Sequence, residues 1–388
     1  MPPPPTKPTL EPSWALTPRR RRLLPLALAL AAAAIGCPHA QGRSRWASVP
    51  ALACAPALAG TWHRKSLHVW TTECDAAADE ASGLLELTER DGVHIDTLGL
   101  DCQPLRADGD FEVRGDPGRA RLLGQLAERG IATALVIANN GGGDFDGALA
   151  AAVLADPSRS GRLLSRLVEV QQRERHAVVE LDLESMPTDA APDLVRLVQS
   201  LRVLLPKAVR IVVDVQAKTV DDPGYAGPGA YDYGALAIAG ATVRLMTYDY
   251  SLGPVPPGPT TKPSWIREVV AYAGARGVPA DRLEIGLPGY GYDFGPRKGD
   301  AHVTLRWREA EALRARVGAK LVRNDDGAPH FEYRGEDGPH EVWYDDGASI
   351  AQLLASLGDL SSSVSGAGLW SAYGADPRML DAWSCAAR

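Results

Sequence analysis

Short apolar runs alternate with helix-patterned segments along most of this chain, and that alternation limits the fold more than any single motif. The runs at 67–71, 93–100, 131–138, 177–187, 210–215, 242–246, 283–287 and 368–371 read as strands. Helical spacing falls between them, at 119–129, 161–172, 193–205, 233–239, 265–276 and 350–357. Such alternation argues for a parallel sheet, because each return crossing needs a helix. Eight units fit the (β/α)8 TIM barrel, an α/β fold whose sites lie at the C-terminal ends of its strands. Polar residues gather at those ends: Asp101, Asn139, Glu184, Gln216, Tyr248-Asp249, Tyr290 and Trp370. A doubly wound open sheet is the competing architecture. It wants a glycine-rich phosphate loop after the first strand, and residues 71–74 are not one. Gly141-Gly142-Gly143 lacks both the Lys-Ser/Thr of a P-loop and the spaced glycines of a dinucleotide fingerprint, so it reads as a loop.

Two segments interrupt the pattern. Residues 293–345 carry many charges, several glycines and short alternations such as His330-Phe331-Glu332-Tyr333. They read as a small α+β insertion between the seventh strand and the seventh helix. Trp343 is either a rim residue or an anchor of that insertion. The first 40 residues read as a leader: Arg19 to Arg22 precede an apolar run at 23–35, too short for a stable anchor but suited to a signal peptide. Ala34-Ile35-Gly36-Cys37 resembles a lipoprotein box. If it acts as one, Cys37 is lipidated and the protein sits on the envelope membrane. Cleavage near Ala40 gives a soluble secreted protein instead. Residues 41–60 form a linker, and 61–388 hold the barrel.

Export makes the five cysteines disulfide-permissive. Setting Cys37 aside leaves Cys54, Cys74, Cys102 and Cys385, with three connectivities open. Cys74 and Cys102 each follow one of two consecutive strands, and Cys54 and Cys385 flank the folded region, which favours 74–102 with 54–385. The net charge of −7 supplies no basic footprint for nucleic acid. No spacing suggests a zinc site.

The run at 177–187 ends in acid. Residues two apart on a strand share a face, so Glu180, Asp182 and Glu184 point one way and Val179, Leu181 and Leu183 the other. Three carboxylates on one face disfavour joint ionisation, and burial raises their pKa values further. A tuned general acid with a carboxylate neighbour explains such a row. The structural alternative is a solvated face of an edge strand. His176 precedes the run at the barrel's other end, where structural roles dominate, and Asp193 is an expected helix N-cap.

Four stretches taken together resemble glycoside hydrolase family 18, the chitinase-like barrels, and within it the bacterial cell-wall and spore-lytic N-acetylglucosaminidase branch. They are Glu180-Leu181-Asp182-Leu183-Glu184, Leu245-Met246-Thr247-Tyr248-Asp249, Gly286 to Tyr292, and Gly368-Leu369-Trp370-Ser371. The family motif on the fourth strand is Asp-x-x-Asp-x-Asp-x-Glu. The resemblance implies that Glu184 is the general acid and that Asp182 orients the substrate's 2-acetamido group, with Tyr248 hydrogen-bonding its carbonyl. It implies substrate contacts from Glu180, Met246, Asp249, Tyr290 and Trp370. Asp101 and Asn139 are further mouth candidates.

The implied reaction is hydrolysis of β-1,4 bonds at N-acetylglucosamine in peptidoglycan or chitin-like glycan, with the acetamido group as nucleophile. It calls for no cofactor and no metal, and a monomer is expected. Ala177 and Glu180 stand where the family has its first two Asp residues, and Leu183 where an aromatic is common. Those departures keep a second reading open: a weak or inactive carbohydrate-binding barrel of the envelope.

Overall fold

The computed structural model describes residues 49–388, apart from 57, 73, 75–78, 91, 114–116, 142–143, 223–226, 254, 296–301 and 373. The leader, Cys37 and the start of the linker lie outside the described residues.

The chain opens with β1 (Ser66–Thr71), α1 (Asp79–Leu87), β2 (Thr97–Pro104), α2 (Gly118–Glu128) and β3 (Ala132–Ala138). It continues through α3 (Gly147–Ala155), α4 (Pro157–Glu174), β4 (Val178–Asp182), α5 (Ala191–Leu204) and β5 (Arg210–Gln216). Next come α6 (Tyr233–Ala239), β6 (Thr242–Met246), α7 (Pro263–Ala275) and β7 (Leu283–Pro288). The insertion holds β8 (Tyr290–Phe294), β9 (His302–Arg306), α8 (Trp307–Val317), β10 (Val322–Arg323), β11 (Pro329–Arg334) and β12 (Pro339–Tyr344). Then α9 (Gly347–Ser356), β13 (Gly366–Trp370) and α10 (Arg378–Ala387) complete the chain.

Strands β1 to β7 and β13 close into one parallel barrel in the order β1-β13-β7-β6-β5-β4-β3-β2. This is the (β/α)8 barrel that the alternation implied. Period-two alternation divides each strand between two cores. On β4, Val179 and Leu181 point outward and pack with Leu194, Leu197 and Leu201 of α5. Val178 points inward, into a cluster with Trp70, Ala134, Val136 and Val212. Helix α4 delivers the chain to β4. Asp156 caps it by accepting from the amides of Ser158 and Arg159 at 2.9 and 3.0 Å, and Arg175 ends it in a left-handed conformation, φ 58°. His176 follows, buried, with its ring on Thr133 at 2.8 Å and Glu174 at 2.9 Å. Its role is structural, as its position suggested. Asp193 is not an N-cap: a single 3-10 turn, Thr188–Ala190, leads into α5, and Asp193 pairs with Arg196 within the first turn.

The insertion begins earlier than the charge pattern suggested. Only Gly289 separates β7 from β8, so Tyr290 and Tyr292 belong both to the barrel mouth and to an antiparallel sheet ordered β10-β11-β12-β8-β9. A Cβ on Gly291 would lie 2.1 Å from the Trp343 carbonyl oxygen, which is why glycine stands at this crossing. The insertion has its own core of Ala310, Leu313, Phe331, Val342 and Tyr344. Trp343 is an anchor here: it is buried and stacks on His330 at 4.1 Å between ring centroids.

Disulfides join Cys74 to Cys102 and Cys54 to Cys385, the pairing expected from their positions. The first ties the mouth ends of β1 and β2 across 28 residues. Replacing both Cys74 and Cys102 by Ser is expected to cost about 3.5 kcal/mol through the freed unfolded chain. Urea midpoints of the oxidised protein and the double variant measure this. A change below about 1 kcal/mol would mean that the bridge constrains nothing.

Candidate active site

β4 stops at Asp182, so Glu184 leaves the strand's acid row and enters a turn. Two residues from other parts of the chain make that turn. Asn139, at the end of β3, accepts from the Glu184 amide at 2.8 Å and donates to the Glu184 carbonyl at 2.9 Å. The Tyr231 hydroxyl donates to the Leu183 carbonyl at 2.8 Å. Ser185 then takes φ 57°, and Gly147 admits it closely, since a Cβ there would meet the Ser185 carbonyl oxygen at 1.8 Å. The result holds the Glu184 side chain over a cleft of about 870 Å³ at the C-terminal ends of the strands.

In the cleft the Gln216 amide, at the end of β5, donates to Glu184 Oε2 at 2.9 Å. Burial pushes the Glu184 carboxyl up to about 7, Asp249 adds to the rise, and the Gln216 bond acts against it. Asp182 lies on the floor beside it. Burial, then the charge of Glu184, hold its carboxyl well above the usual range, and its Oδ1 has no hydrogen-bond partner among the described residues. Asp249 sits at φ 64° after β6. It accepts from the Tyr290 hydroxyl at 2.5 Å and from the Tyr292 hydroxyl. Burial still raises its carboxyl. The Tyr248 ring lies over Gly286, where a Cβ would come within 2.6 Å of it. Met246 and Trp370 complete the floor, with Trp370 edge-on to Trp70 at 5.6 Å.

Of the residues expected to meet a substrate, Asp182, Glu184, Met246, Tyr248, Asp249, Tyr290 and Trp370 line one cleft. Three do not. Glu180 is wholly buried beneath the floor, where it accepts from the Trp70 indole and pairs with Arg244 at 2.9 Å. Its extra methylene reaches an ion pair in the barrel interior and leaves it without access to a sugar. Asn139 has both ends of its amide on the Glu184 backbone, so it positions the acid. Asp101 is buried behind the floor, pushed up to about 7 by burial and by Glu180.

The sequence reading missed the layer that supports this floor. Arg244 pairs through Nη1 with Glu180 and with Asp214 at 3.2 Å, and through Nε with Glu284 at 2.8 Å. Arg210 also reaches Glu284. The Arg244 guanidinium stacks over Trp70 at 4.7 Å. The signal was present: single charges of opposite sign interrupt three neighbouring apolar strands at Asp214, Arg244 and Glu284. Trp70, Gln216 and Arg306 are further cleft residues. Among the described residues, no group of His, Cys, Asp or Glu is arranged to hold a metal ion.

No family model matches the sequence. The chain is 26% identical over 210 residues to an uncharacterized glycosylase, YvbX, of Bacillus subtilis, covering 53% of this chain and 61% of that protein. It is 26% identical over 221 residues to the cortical fragment-lytic enzyme of Bacillus cereus, covering 56% and 51%. The chain thus spans roughly half to three fifths of the length of these curated relatives. Its fold matches the Bacillus cereus spore cortex-lytic enzyme SleL with TM-score 0.72 at 20% identity, over 85% of this chain and 76% of that one. It matches a chitinase from Chromobacterium violaceum with TM-score 0.70 at 25% identity, over 84% and 99%. Barrel and relatives agree: the chain is similar in sequence to bacterial glycosylases, a cortical fragment-lytic enzyme among them, and in fold to a spore cortex-lytic enzyme and a chitinase.

Proposed function

We propose that the protein is a retaining glycosidase acting at N-acetylglucosamine residues of peptidoglycan or a chitin-like glycan. The observation that carries this reading is Glu184: a carboxyl raised to about 7, held over an open cleft by a backbone clamp. Relatives named as a cortical fragment-lytic enzyme and a chitinase support a glycan of this class.

The residues fit substrate-assisted hydrolysis. Glu184 protonates the glycosidic oxygen as the bond from C1 to that oxygen breaks. The substrate's own acetamido oxygen bonds to C1, forming a positively charged oxazolinium. Asp182 faces the acetamido nitrogen and stabilises that charge, and the Tyr248 hydroxyl binds the acetamido oxygen. The Trp370 face covers the apolar side of the sugar. A water then attacks C1, giving its proton to the Glu184 carboxylate and restoring the acetamido group with retained configuration. We place the protein outside the cytoplasm, in an oxidising compartment, and the two disulfides support that placement.

The acid works only while it holds its proton, and Glu184 holds it below about pH 7. We therefore expect kcat/KM to fall above that pH, by about tenfold per pH unit. A rate that stays flat to pH 9 would assign the acid to another group. The direct test is release of fluorophore from a chitobiose glycoside and of reducing ends from purified peptidoglycan. Turnover of either establishes the activity, and the faster one identifies the glycan. Sugar binding without turnover of either would favour the carbohydrate-binding barrel.

A further inference from the structure

One wall of the cleft comes from the insertion. Antiparallel β8 and β9 pair Tyr290 with Arg306 and Tyr292 with Thr304. Directly opposed residues share a face of a sheet, with Cβ atoms about 5 Å apart. Arg306 and Thr304 therefore project on the same side as the two tyrosines whose hydroxyls meet Asp249, and all four line the cleft. The Arg306 stem lies along the loop that follows Trp370, since a Cβ on Gly374 would come within 2.6 Å of its Cδ. The side chain is thus braced on that glycine and remains 41% exposed.

Among the described residues that line the cleft, Arg306 is the one permanent cation. Burial pushes upward all four acids that share the cleft, Asp182, Glu184, Asp214 and Asp249. They therefore oppose an incoming anion less than four ordinary carboxylates would. Arg306 also faces Glu309, with Nη1 3.7 Å from Oε1. An ion pair this exposed contributes little, and a guanidinium with five N–H donors can hold more than one acceptor. The start of α8 is closed by backbone, the Arg306 amide donating to Glu309 at 2.9 Å, so it does not require a guanidinium at this position.

Peptidoglycan and chitin-like glycans differ in what they bring to such a wall. A chitin-like strand is neutral. Peptidoglycan alternates N-acetylglucosamine with N-acetylmuramic acid, so internal cleavage at the first sets a muramic unit on each side of the reacting sugar. Each muramic unit carries a lactyl group. Its carboxylate is free once the peptide is removed and is tied up as an amide while the peptide remains.

We propose that Arg306 is a specificity-determining residue that binds the lactyl carboxylate of a muramic unit next to the reacting N-acetylglucosamine, so that the protein selects peptide-free peptidoglycan strands. The proposal rests on the glycosidase reading and narrows its substrate. Arginine suits the task because its planar fork meets a carboxylate through two parallel hydrogen bonds. The contact lies away from the bond that breaks, so it acts on KM more than on kcat.

The test is a cycle of protein against substrate. Peptide-free strands are compared with the same strands methyl-esterified at the lactyl group, using the native protein and Arg306→Gln at one low ionic strength. The native protein should favour the acid by about 10- to 100-fold in kcat/KM, the range of a hydrogen bond to a charged group, and the variant by less than about threefold. A purely structural role for Arg306 would slow both substrates alike and leave the ratio unchanged, which overturns the proposal. A native ratio near one overturns it as well. Intact peptidoglycan separates the two sources of carboxylate. If Arg306→Gln slows cleavage of intact material but not of peptide-free strands, the acid being read belongs to the peptide and the lactyl assignment is wrong. If the native protein turns over neither strand, the glycosidase reading fails, while calorimetric affinities for acid and ester taken through the same cycle still decide what Arg306 binds.

Discussion

Glu184→Gln should abolish hydrolysis, with kcat falling by about three orders of magnitude and the fold intact. A positioned general acid contributes about 10²- to 10⁴-fold, and glutamine has the shape of glutamate but no proton to give. Its carbonyl can still accept from Gln216, and the Asn139 clamp holds backbone rather than side chain. The variant should therefore bind glycan as the native protein does.

Its stability carries a second signature. The Glu184 carboxyl lies above its ordinary value in the folded protein, so folding favours the protonated form. Native stability from this group is greatest below the unfolded carboxyl range and declines as pH rises through about 7. The glutamine variant has nothing to lose there. Relative to native, it should gain stability between pH 5 and pH 8. Residual turnover within tenfold of native would remove Glu184 as the acid. A stability difference independent of pH would remove the raised carboxyl.

Arg244→Met should be the most destabilising single change in the barrel interior, at about 3–5 kcal/mol, because it strips the cation from Glu180, Glu284 and Asp214 at once. The methionine fills similar volume, so the loss is one of charge compensation and not of packing. The pH dependence should change sign at Glu284. In the native protein Glu284 is buried, which alone would raise its carboxyl, but Arg244 and Arg210 together hold it low. It therefore contributes stability above the unfolded carboxyl range that is lost as pH falls. Without Arg244, burial dominates, the carboxyls bind protons on folding, and the variant recovers stability as pH falls toward 5. Denaturant midpoints at pH 5 and pH 8 measure both effects. A loss below about 1 kcal/mol would mean that water compensates the carboxylates and that the layer is not dry. Adding Glu180→Leu should restore part of the loss, since one uncompensated carboxylate is removed.

Local signals made most of the barrel legible. Each barrel strand is a short apolar run, and its period of two is visible without a partner. The spacing of helix α5, with Leu194, Leu197 and Leu201 on the buried face, is equally local. The cleft residues Glu184, Asp182, Tyr248 and Trp370 were legible because strand ends in a parallel barrel share one face. The errors lie where a partner far along the chain decides the outcome. Nothing near Glu184 says that its turn will be clamped by Asn139, 45 residues earlier. Nothing near Glu180 says that an arginine on β6 will neutralise it. The start of the insertion at Tyr290 was invisible for a related reason, since the hydroxyls of Tyr290 and Tyr292 find Asp249 on another strand.

By itself the sequence determined the number of strand–helix units, the inward and outward faces of each strand, and the acids available at the mouth. These follow from backbone periodicity, which each segment carries alone. Only the tertiary structure decided which carboxyls face the cleft and which face a guanidinium. Closure of the barrel sets the register between strands, and register decides whether Glu180 meets a sugar or Arg244. Burial and partner charge, not residue type, then determine which of those acids keeps its proton.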